Sequence, residues 1–472
     1  MVAVETSAAG ASPRATKHRR SLALDCAAIA AAHALACVLA RAGGFDHVSD
    51  DDFARVTIAQ AFAHAPKLDP SGTSWLPLPF WLLGTVMLAF GRSLAVAHAG
   101  SVAIASLAAT APYLALRFAD VPRGRALFAT AFALATPWCI WLGAAPVPES
   151  FAASLTAAAA IGLTAARSRL AATPVDDDAP PVAGLAAPAL LAGAVAAASL
   201  SRYEPWPVAA VLAAALALGG ARAAGRRRAV LVGLALLSAV GPLAWMAWNA
   251  HAHDGPFHFF RRVSTYKRAI GAGATDTLDA LLLYPRLLFT TRPEVAIPTV
   301  FLLLPAMRDP AIRRRWGVPL LAVAAQIAFL AYGNARDGAP AHHPERALLG
   351  ATVLLALFVA DAGFVKLREL VDGATRDAHA LAARAAAACV AVAWVISSAR
   401  GYDPPGTSAL EDRRAPIARG AKLRADGASS LVVTPCAYEH FALIAAYGAP
   451  ERVTIAAHGD APPSSCPDVE VR

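Results

Sequence analysis

Three consecutive carboxylates stand in the stretch SDDDFARVTIAQ, residues 49–60, directly after a long apolar segment. They are Asp50, Asp51 and Asp52. A carboxylate held at such a boundary can take a proton from a hydroxyl group as a general base, or it can bind a divalent cation. The alternative is an exposed loop tip whose charges are solvated. An amphipathic helix and an aromatic, proline-rich stretch follow the cluster at once, and this context favours the chemical interpretation.

A second candidate group is the stretch FHFFRRVSTYKRA, in which Arg261, Arg262, Lys267 and Arg268 alternate with aromatic residues. Guanidinium groups bind phosphate in a bidentate manner, so these residues are candidates for a phosphate cradle. The same pattern is typical of an amphipathic helix that lies in a membrane interface and extends its cations towards water. Both interpretations stay open on the sequence alone.

Three short turns carry further candidates for substrate contacts: Glu149 in PVPES, Arg202, Tyr203 and Glu204 in SRYEPW, and His343 and Arg346 in HHPER. The simpler alternatives are a local ion pair in an exposed turn and, for Arg346, a helix cap at the lipid headgroups. Adjacent histidines do not form a metal site by spacing alone, because neighbouring side chains on an extended chain point apart. The sequence contains no glycine-rich phosphate loop, no nucleophile elbow and no zinc-ligand spacing.

The elements that must position these residues are long apolar segments. Of the 472 residues, 57% are hydrophobic and only 16% are charged, whereas soluble domains are nearer a quarter charged. The apolar segments lie near residues 21–41, 78–91, 94–116, 125–144, 150–166, 184–201, 206–220, 229–249, 294–306, 317–332, 347–364 and 380–398. The composition therefore predicts an all-α polytopic membrane protein. Its net charge of +9 is better explained by membrane topology than by nucleic-acid binding.

Basic residues concentrate in the N-terminal tail and in five short connectors: 121–125, 167–169, 221–228, 308–316 and 365–370. The positive-inside rule places all of them in the cytoplasm. This is possible only if one apolar segment does not cross. Segment 78–91 is short for a span, so we expect a juxtamembrane helix there and about eleven true spans.

This topology predicts three regions. Residues 1–20 form a disordered cytoplasmic tail, residues 21–398 form the transmembrane domain with an extracytoplasmic loop at 42–93, and residues 399–472 form a small extracytoplasmic α/β domain. The last region reads as strand, helix, strand, and Cys436 and Cys466 could pair in it. We expect an uncleaved first span and a location in the inner (plasma) membrane.

Several short motifs follow the first apolar segment: the acidic pair Asp51–Asp52, the pair Ile58–Ala59, the run Trp75, Pro77, Leu78 and Trp81, and the sequence Phe90–Gly91–Arg92. With these motifs the sequence resembles the GT-C superfamily of membrane glycosyltransferases, and within it glycosyltransferase family 39, which includes protein O-mannosyltransferases and the aminoarabinose transferase of lipid A. Glu149 and the turn 202–206 match later elements. The similarity covers about the first 250 residues.

The resemblance implies an inverting glycosyltransferase. Such an enzyme moves a sugar from a polyprenyl-phosphate donor to a lipid, glycan or protein acceptor at the extracytoplasmic membrane face. It implies Asp51 as the base, with Asp52 and Asp50 beside it, and Trp75 and Arg92 among the substrate-binding residues. No cofactor is expected. A divalent metal stays possible, with Asp51 and Asp52 as its ligands.

Two other classes of function compete. A secondary transporter or lipid-linked-sugar flippase would place ionisable residues within its helices and often has related halves. Here the predicted helix interiors are nearly free of charge, Asp25 being an exception, and no repeat is visible. A scaffold without catalysis would tolerate loss of the Asp cluster.

Overall fold

The computed structural model describes residues 13–172, 184–269, 276–337, 343–372, 392, 394–396, 412–456 and 467–471. The helices of the first part are α1 (Pro13–Ala42), α2 (Asp50–His64), α3 (Leu78–Phe90), α4 (Leu94–Ala108), α5 (Ala111–Phe118), α6 (Arg123–Leu134), α7 (Pro137–Ala144), α8 (Glu149–Ala172), α9 (Ala186–Ser199), α10 (Pro205–Ala221), α11 (Gly225–Ala252), α12 (His258–Ala269), α13 (Thr277–Thr291), α14 (Pro293–Arg308), α15 (Pro310–Ala335) and α16 (Glu345–Asp372). Alanine and leucine, both strong helix formers, dominate them. Residues 1–12 of the predicted disordered tail lie outside the description, and α1 begins at Pro13, within the rest of that tail.

Within the described residues, six helices are long and apolar enough to cross a membrane: Arg20–Ala42, Leu94–Phe118, Glu149–Ala171, Gly225–Ala252, Pro310–Ala335 and Glu345–Glu369. Two bent pairs, α6 with α7 and α13 with α14, raise this number to eight if each is one broken span. The all-α polytopic fold is confirmed. The figure of about eleven spans stays a prediction, because residues 380–398 fall almost entirely outside the described part of the chain.

Helix α8 lies at the centre of the bundle and is buried along most of its length. Its alanines, among them Ala157 and Ala160, have no exposed surface. Small side chains let neighbouring helices approach closely. Gly241 of α11 lies close to α9, since a Cβ atom at this position would lie 2.6 Å from the carbonyl oxygen of Ala196.

The basic connectors gather at one end of the bundle around two carboxylates. Asp361 accepts contacts at 2.8 Å from Arg125, Arg315 and the indole nitrogen of Trp316, and Asp25 pairs with Arg123 at 2.7 Å. Asp361 lies inside a predicted span, and the sequence did not predict a buried charge there. Its burial is possible because two guanidinium groups neutralise it. Connectors 121–125 and 308–316 therefore meet at Asp361, and the membrane face on which they lie stays a prediction.

Helix α3 is 13 residues long, about 20 Å, which is short of the roughly 30 Å hydrocarbon core. Its first residue, Leu78, donates its backbone N–H to the carbonyl oxygen of Leu200 in the α9–α10 turn. Just after its last residue, the carbonyl oxygen of Arg92 accepts a hydrogen bond from Gln60 of α2. Both ends of α3 thus contact elements at the end of the bundle opposite the basic connectors.

The C-terminal part of the chain forms a small α/β unit. It contains α17 (Arg414–Ala425), β1 (Leu431–Thr434), α18 (His440–Tyr447), a 3-10 turn (Pro450–Arg452), β2 (Val453–Ile455) and β3 (Asp468–Val471). Strand β1 pairs in parallel with β2 and antiparallel with β3. The predicted strand–helix–strand is confirmed, and β3 and α17 add to it. Cys436 takes part in a disulfide bond, while its suggested partner Cys466 lies outside the described residues.

The C-terminal unit docks on α2. Ala442 and Ala445 of α18 pack against Phe53 and Val56, with no exposed surface on either alanine. The side-chain amide of Gln60, which is fully buried, donates to the carbonyl oxygen of Ala445 at 2.8 Å. The unit therefore fixes the helix that begins with the three aspartates.

Candidate active site

Helix α2 starts at Asp50, so all three aspartates lie in its first turn, where negative charge interacts favourably with the helix dipole. Successive residues of a helix point about 100° apart, and the three carboxylates have different surroundings. Asp50 forms two hydrogen bonds, of 2.7 and 2.8 Å, with Arg413 of the C-terminal unit. Asp52 is fully buried and accepts the backbone N–H of Val48 at 2.7 Å. Asp51 is exposed.

A buried ion network lies beside this turn, at the N-terminal ends of α8 and α16. One oxygen of Glu149 accepts hydrogen bonds from Arg346 at 2.6 and 3.0 Å and lies 3.1 Å from the guanidinium of Arg202. Arg202 also forms two hydrogen bonds with Glu204. Arg346 donates to the hydroxyl of Ser49 at 3.2 Å, which connects the network to the start of α2.

Arg55 is a third buried cation in this region, one turn along α2 from Asp51. Its guanidinium stacks on Trp75, 4.5 Å from the ring centre. It interacts electrostatically with Glu149, Arg202 and Asp51. Among the described residues, no carboxylate forms a hydrogen bond with it, and its Nε atom is buried without a partner. Arg55 therefore has donor capacity that the other two arginines have already used.

Asp51 and Asp52 both interact electrostatically with the network. Asp51 interacts with Arg202 and Arg346, and Asp52 interacts with Arg346 and Glu149. Burial raises the pKa of Asp52 to about 7, while the positive charge of Arg346 and the hydrogen bond from Val48 act in the opposite direction. One of its oxygens has no partner among the described residues.

This pKa has a consequence for stability that can be measured. Native Asp52 keeps its proton up to about pH 7, whereas an unfolded aspartate loses its proton near pH 4, so the native state binds more protons between these values. The free energy of unfolding should therefore fall as the pH rises from about 4 to about 7 and then level off. Asp52→Asn should flatten this part of the profile in thermal unfolding of the purified protein. An unchanged profile would contradict the assignment, and Asp46→Asn in the preceding loop is the control.

Aromatic side chains form a wall next to the network. The hydroxyl of Tyr203 donates to the carbonyl oxygen of Ser74 at 2.6 Å and accepts from the indole of Trp245 at 3.1 Å. Its ring stacks on Phe259 of α12 at 4.5 Å. Together with Trp75, these rings line one side of the region that contains the carboxylates and arginines. Burial raises the pKa of Tyr203 well above its ordinary value, so it stays a neutral hydrogen-bonding group.

The structure does not bring the remaining predicted cations together. Arg261 pairs with Asp254, Lys267 is buried against Asn334, and Arg262 and Arg268 lie exposed on α12. These side chains follow an amphipathic helix and do not converge on one point. The phosphate-cradle interpretation of α12 is therefore not supported by their placement.

Two other predicted contacts also lie apart from the network. Arg92 forms two hydrogen bonds, of 2.8 and 2.9 Å, with Glu451, so it holds the C-terminal unit. The ring of His343 lies 6.0 Å from that of Trp138, and its backbone carbonyl accepts the N–H of Arg346. Arg92 therefore fixes the C-terminal unit, and His343 contacts Arg346 through its backbone.

The pairing of Asp50 with Arg413 predicts an effect on docking of the C-terminal unit. Arg413→Asp should loosen the unit by placing two negative charges side by side, with a lower melting temperature and faster protease release of the unit. The double variant Asp50→Arg, Arg413→Asp should restore both properties. Arg414→Asp is the matched control, because Arg414 pairs with its neighbour Asp412 and is 82% exposed. Equal effects of the two single variants would show that the pair does not hold the unit.

The donor set does not suit a resident divalent cation. Within the described residues there is no group of three or more His, Cys, Asp or Glu side chains that could hold a metal. Glu149 and Glu204 are already paired with guanidinium groups, and Arg55 adds a third positive charge close by. A divalent cation placed here would be repelled by three arginines. Metal binding by Asp51 and Asp52 stays a prediction.

No protein-family model matches the sequence, and no curated protein matches it. Among solved structures, the archaeal oligosaccharyltransferase AglB of Archaeoglobus fulgidus, in complex with an inhibitory peptide and a dolichol-phosphate, superposes with a TM-score of 0.50 at 14% identity. The alignment covers 85% of this chain and 58% of that one. The chain has the GT-C fold. A second structure, the A. fulgidus oligosaccharyltransferase tethered to an acceptor peptide with the NVT sequon, gives a TM-score of 0.46 at 12% identity and covers 84% and 57% of the two chains.

The GT-C fold that the sequence resemblance implied is thus confirmed, while membership of family 39 stays a prediction. The chain spans less than two thirds of the length of the oligosaccharyltransferases it resembles. Sequence reasoning missed Arg55 and also Gln326 of α15, which lines a small cavity together with Glu149, Arg202 and Arg346. Arg55 had a usable signal, since it follows Asp51 by four residues and shares its helix face. Gln326 lies alone in an apolar segment and its sequence context gives no comparable signal.

Proposed function

We propose that the protein is an inverting glycosyltransferase that moves a sugar from a polyprenyl-phosphate donor to an acceptor hydroxyl at the extracytoplasmic membrane face. The observation that supports this best is the set of carboxylates and guanidinium groups at one end of the bundle, with exposed Asp51 next to buried Glu149, Arg202 and Arg346. The GT-C fold is consistent with the proposal, and so is the dolichol-phosphate in the AglB complex.

Each group has a role in the proposed reaction. Asp51, being exposed, takes the proton of the acceptor hydroxyl as that oxygen attacks the anomeric carbon of the sugar. The bond between the anomeric carbon and the phosphate oxygen breaks, and the electron pair leaves with the lipid phosphate. Attack from the face opposite the phosphate inverts the configuration. Arg55, whose donors are not taken up by a carboxylate, binds the phosphate as its charge develops.

Asp52 and the Glu149 network have a positioning role in this scheme. Asp52 accepts the N–H of Val48 and so fixes the start of α2. The contact of Arg346 with both Glu149 and Ser49 joins α16 and α8 to the same turn. Holding reacting groups in place in this way lowers the entropic part of the barrier.

The proposed sidedness has three supports. The basic connectors meet at the end of the bundle opposite the site, and connectors rich in Arg and Lys are retained in the cytoplasm. The disulfide bond of Cys436 belongs in an oxidising compartment. Both ends of α3 also contact elements at the site end, as expected if α3 does not cross the membrane.

Transfer is tested with purified protein in liposomes that contain radiolabelled polyprenyl-phosphate sugars and an extract of membrane acceptors. We expect release of polyprenyl phosphate together with labelled acceptor. Equal labelling from nucleotide sugars with no use of the lipid-linked donors would overturn the proposal. Sidedness is tested with single cysteines at Lys67 and Ala224, both exposed, in a background without native cysteines. An impermeant thiol reagent should label position 67 alone in intact cells.

A further inference from the structure

A small cavity of about 20 Å³, enough for one water molecule or one hydroxyl group, lies beside the ion network, where the N-terminal parts of α8, α10 and α16 meet α15. Its polar lining consists of Glu149, Thr156, Arg202, Glu204, Gln326 and Arg346. Four of these residues belong to the turns already described, and Thr156 lies one to two turns further along α8 with its hydroxyl bonded to the carbonyl oxygen of Ala152. Gln326 is different, because it lies in the middle of the apolar helix α15 and only 1% of its surface is exposed.

Two hydrogen-bond acceptors in this lining lack a partner among the described residues. They are Oε1 of Gln326 and Oε2 of Glu149. The amide nitrogen of Gln326 makes one long contact, 3.4 Å, with the carbonyl oxygen of Ala347. A buried acceptor without a donor is destabilising, so such atoms in a cavity point to a ligand that brings a donor.

The charges of the lining restrict the class of that ligand. Two carboxylates, Glu149 and Glu204, face two guanidinium groups, Arg202 and Arg346. The lining therefore has no formal net charge. An anion would meet the carboxylates and a cation would meet the arginines, whereas a neutral hydroxyl group can donate to the unpaired acceptors without either repulsion.

Resting on the proposed function, we propose that this cavity binds one hydroxyl group of the donor sugar and that Gln326 selects the sugar by accepting a hydrogen bond from that hydroxyl. The unpaired oxygen of Glu149 is a second acceptor in the same cavity. The anomeric carbon then lies at the mouth of the cavity, towards Asp51. Discrimination between sugars arises because a donor that lacks the matching hydroxyl leaves the Gln326 acceptor buried and unpaired.

Gly350 limits the space available to the side-chain amide of Gln326. A Cβ atom at position 350 would lie 3.2 Å from Nε2 and 3.5 Å from Oε1 of Gln326. An alanine there would displace the amide or narrow the cavity. Gly350→Ala therefore tests the same contact without removing the amide.

The experiment begins with wild-type protein and polyprenyl-phosphate mannose, glucose, galactose and arabinose, followed by single-deoxy versions of the sugar transferred fastest. Gln326→Leu keeps the side-chain volume and removes the acceptor. We expect kcat/KM for the preferred donor to fall roughly tenfold to hundredfold. The preference for that donor over one particular deoxy analogue should fall by the same factor. Gly350→Ala should reduce the same preference. Acceptor KM should not change in either variant.

Thr164→Val is the matched control, because Thr164 is a buried residue of α8 whose hydroxyl bonds to its own helix, at the carbonyl oxygen of Ala160. It should leave the donor preference unchanged. If Gln326→Leu transfers every donor and deoxy analogue with wild-type ratios, the cavity holds water only and the inference is overturned while the proposed function stands. If wild-type protein transfers none of the lipid-linked sugars, the proposed function itself fails.

Discussion

Replacing Asp51 with asparagine should abolish sugar transfer while leaving the fold intact. Asp51 is exposed at the first turn of α2 and lies near Arg202 and Arg346. Asparagine has the same shape but cannot take a proton. A positioned general base contributes about 10²- to 10⁴-fold to the rate, so kcat should fall by that factor. Initial rates of polyprenyl-phosphate release from the lipid-linked donor measure it.

The control for Asp51→Asn is Asp46→Asn. Asp46 is a partly exposed carboxylate of the same loop and lies 3.9 Å from Arg41, apart from the network. It should keep wild-type activity, and both variants should keep the wild-type melting temperature. Transfer by Asp51→Asn at more than a tenth of the wild-type rate would remove Asp51 from the role of base. The remaining candidate would then be Asp52, whose pKa of about 7 suits proton transfer near neutral pH.

The elements that carry the site were predictable from sequence because they depend on local patterns. The length of the apolar segments predicted the helices, and the clustering of basic residues in short connectors indicated that these connectors lie at one end of the bundle. The alternation of strand and helix patterns predicted the C-terminal unit. The acidic turn was visible for the same reason, since Asp50, Asp51 and Asp52 are adjacent in the chain. Each of these features is encoded within a window of about twenty residues.

The network could not be predicted in the same way because its partners are far apart in the chain. Glu149 and Arg346 are 197 positions apart and meet only when α8 and α16 pack side by side. The different surroundings of the three aspartates have a similar origin. The rotation of α2, fixed by docking of the C-terminal unit, directs Asp50 to Arg413 and buries Asp52. Tertiary packing therefore decides which carboxylate stays accessible.

The cations of α12 also depend on tertiary packing. The sequence left open whether they form a phosphate cradle or an interfacial helix, and Lys267 and Arg261 have separate partners in Asn334 and Asp254. The role of Gln326 could not be recognised from the sequence, because a single amide in an apolar helix forms no pattern. Its meaning depends on Glu149 and the cavity, which come from another part of the chain.

Removing the charge of Glu149 should destabilise the protein more than any other single change in the site. The carboxylate is 3% exposed and is shared by Arg346 and Arg202. Glu149→Gln leaves two buried guanidinium groups with less compensation, and breaking a buried pair costs about 3–5 kcal/mol. Thermal unfolding of the purified protein should show a clear fall in melting temperature. Glu204→Gln, which affects Arg202 alone, should cause a smaller fall.

A double variant separates the charge effect from a loss of packing. The double variant Glu149→Gln, Arg346→Met removes the buried carboxylate charge together with its main partner. Much of the lost stability should therefore return, since replacing both members of a buried pair is often nearly neutral. Activity should not return, because the contact from Arg346 to Ser49 that holds the start of α2 is gone as well. If the double variant is as unstable as the sum of the two single variants, the residues do not act as a pair. Recovery of stability without activity is the result expected of a network that compensates its own buried charges and also positions the acidic turn.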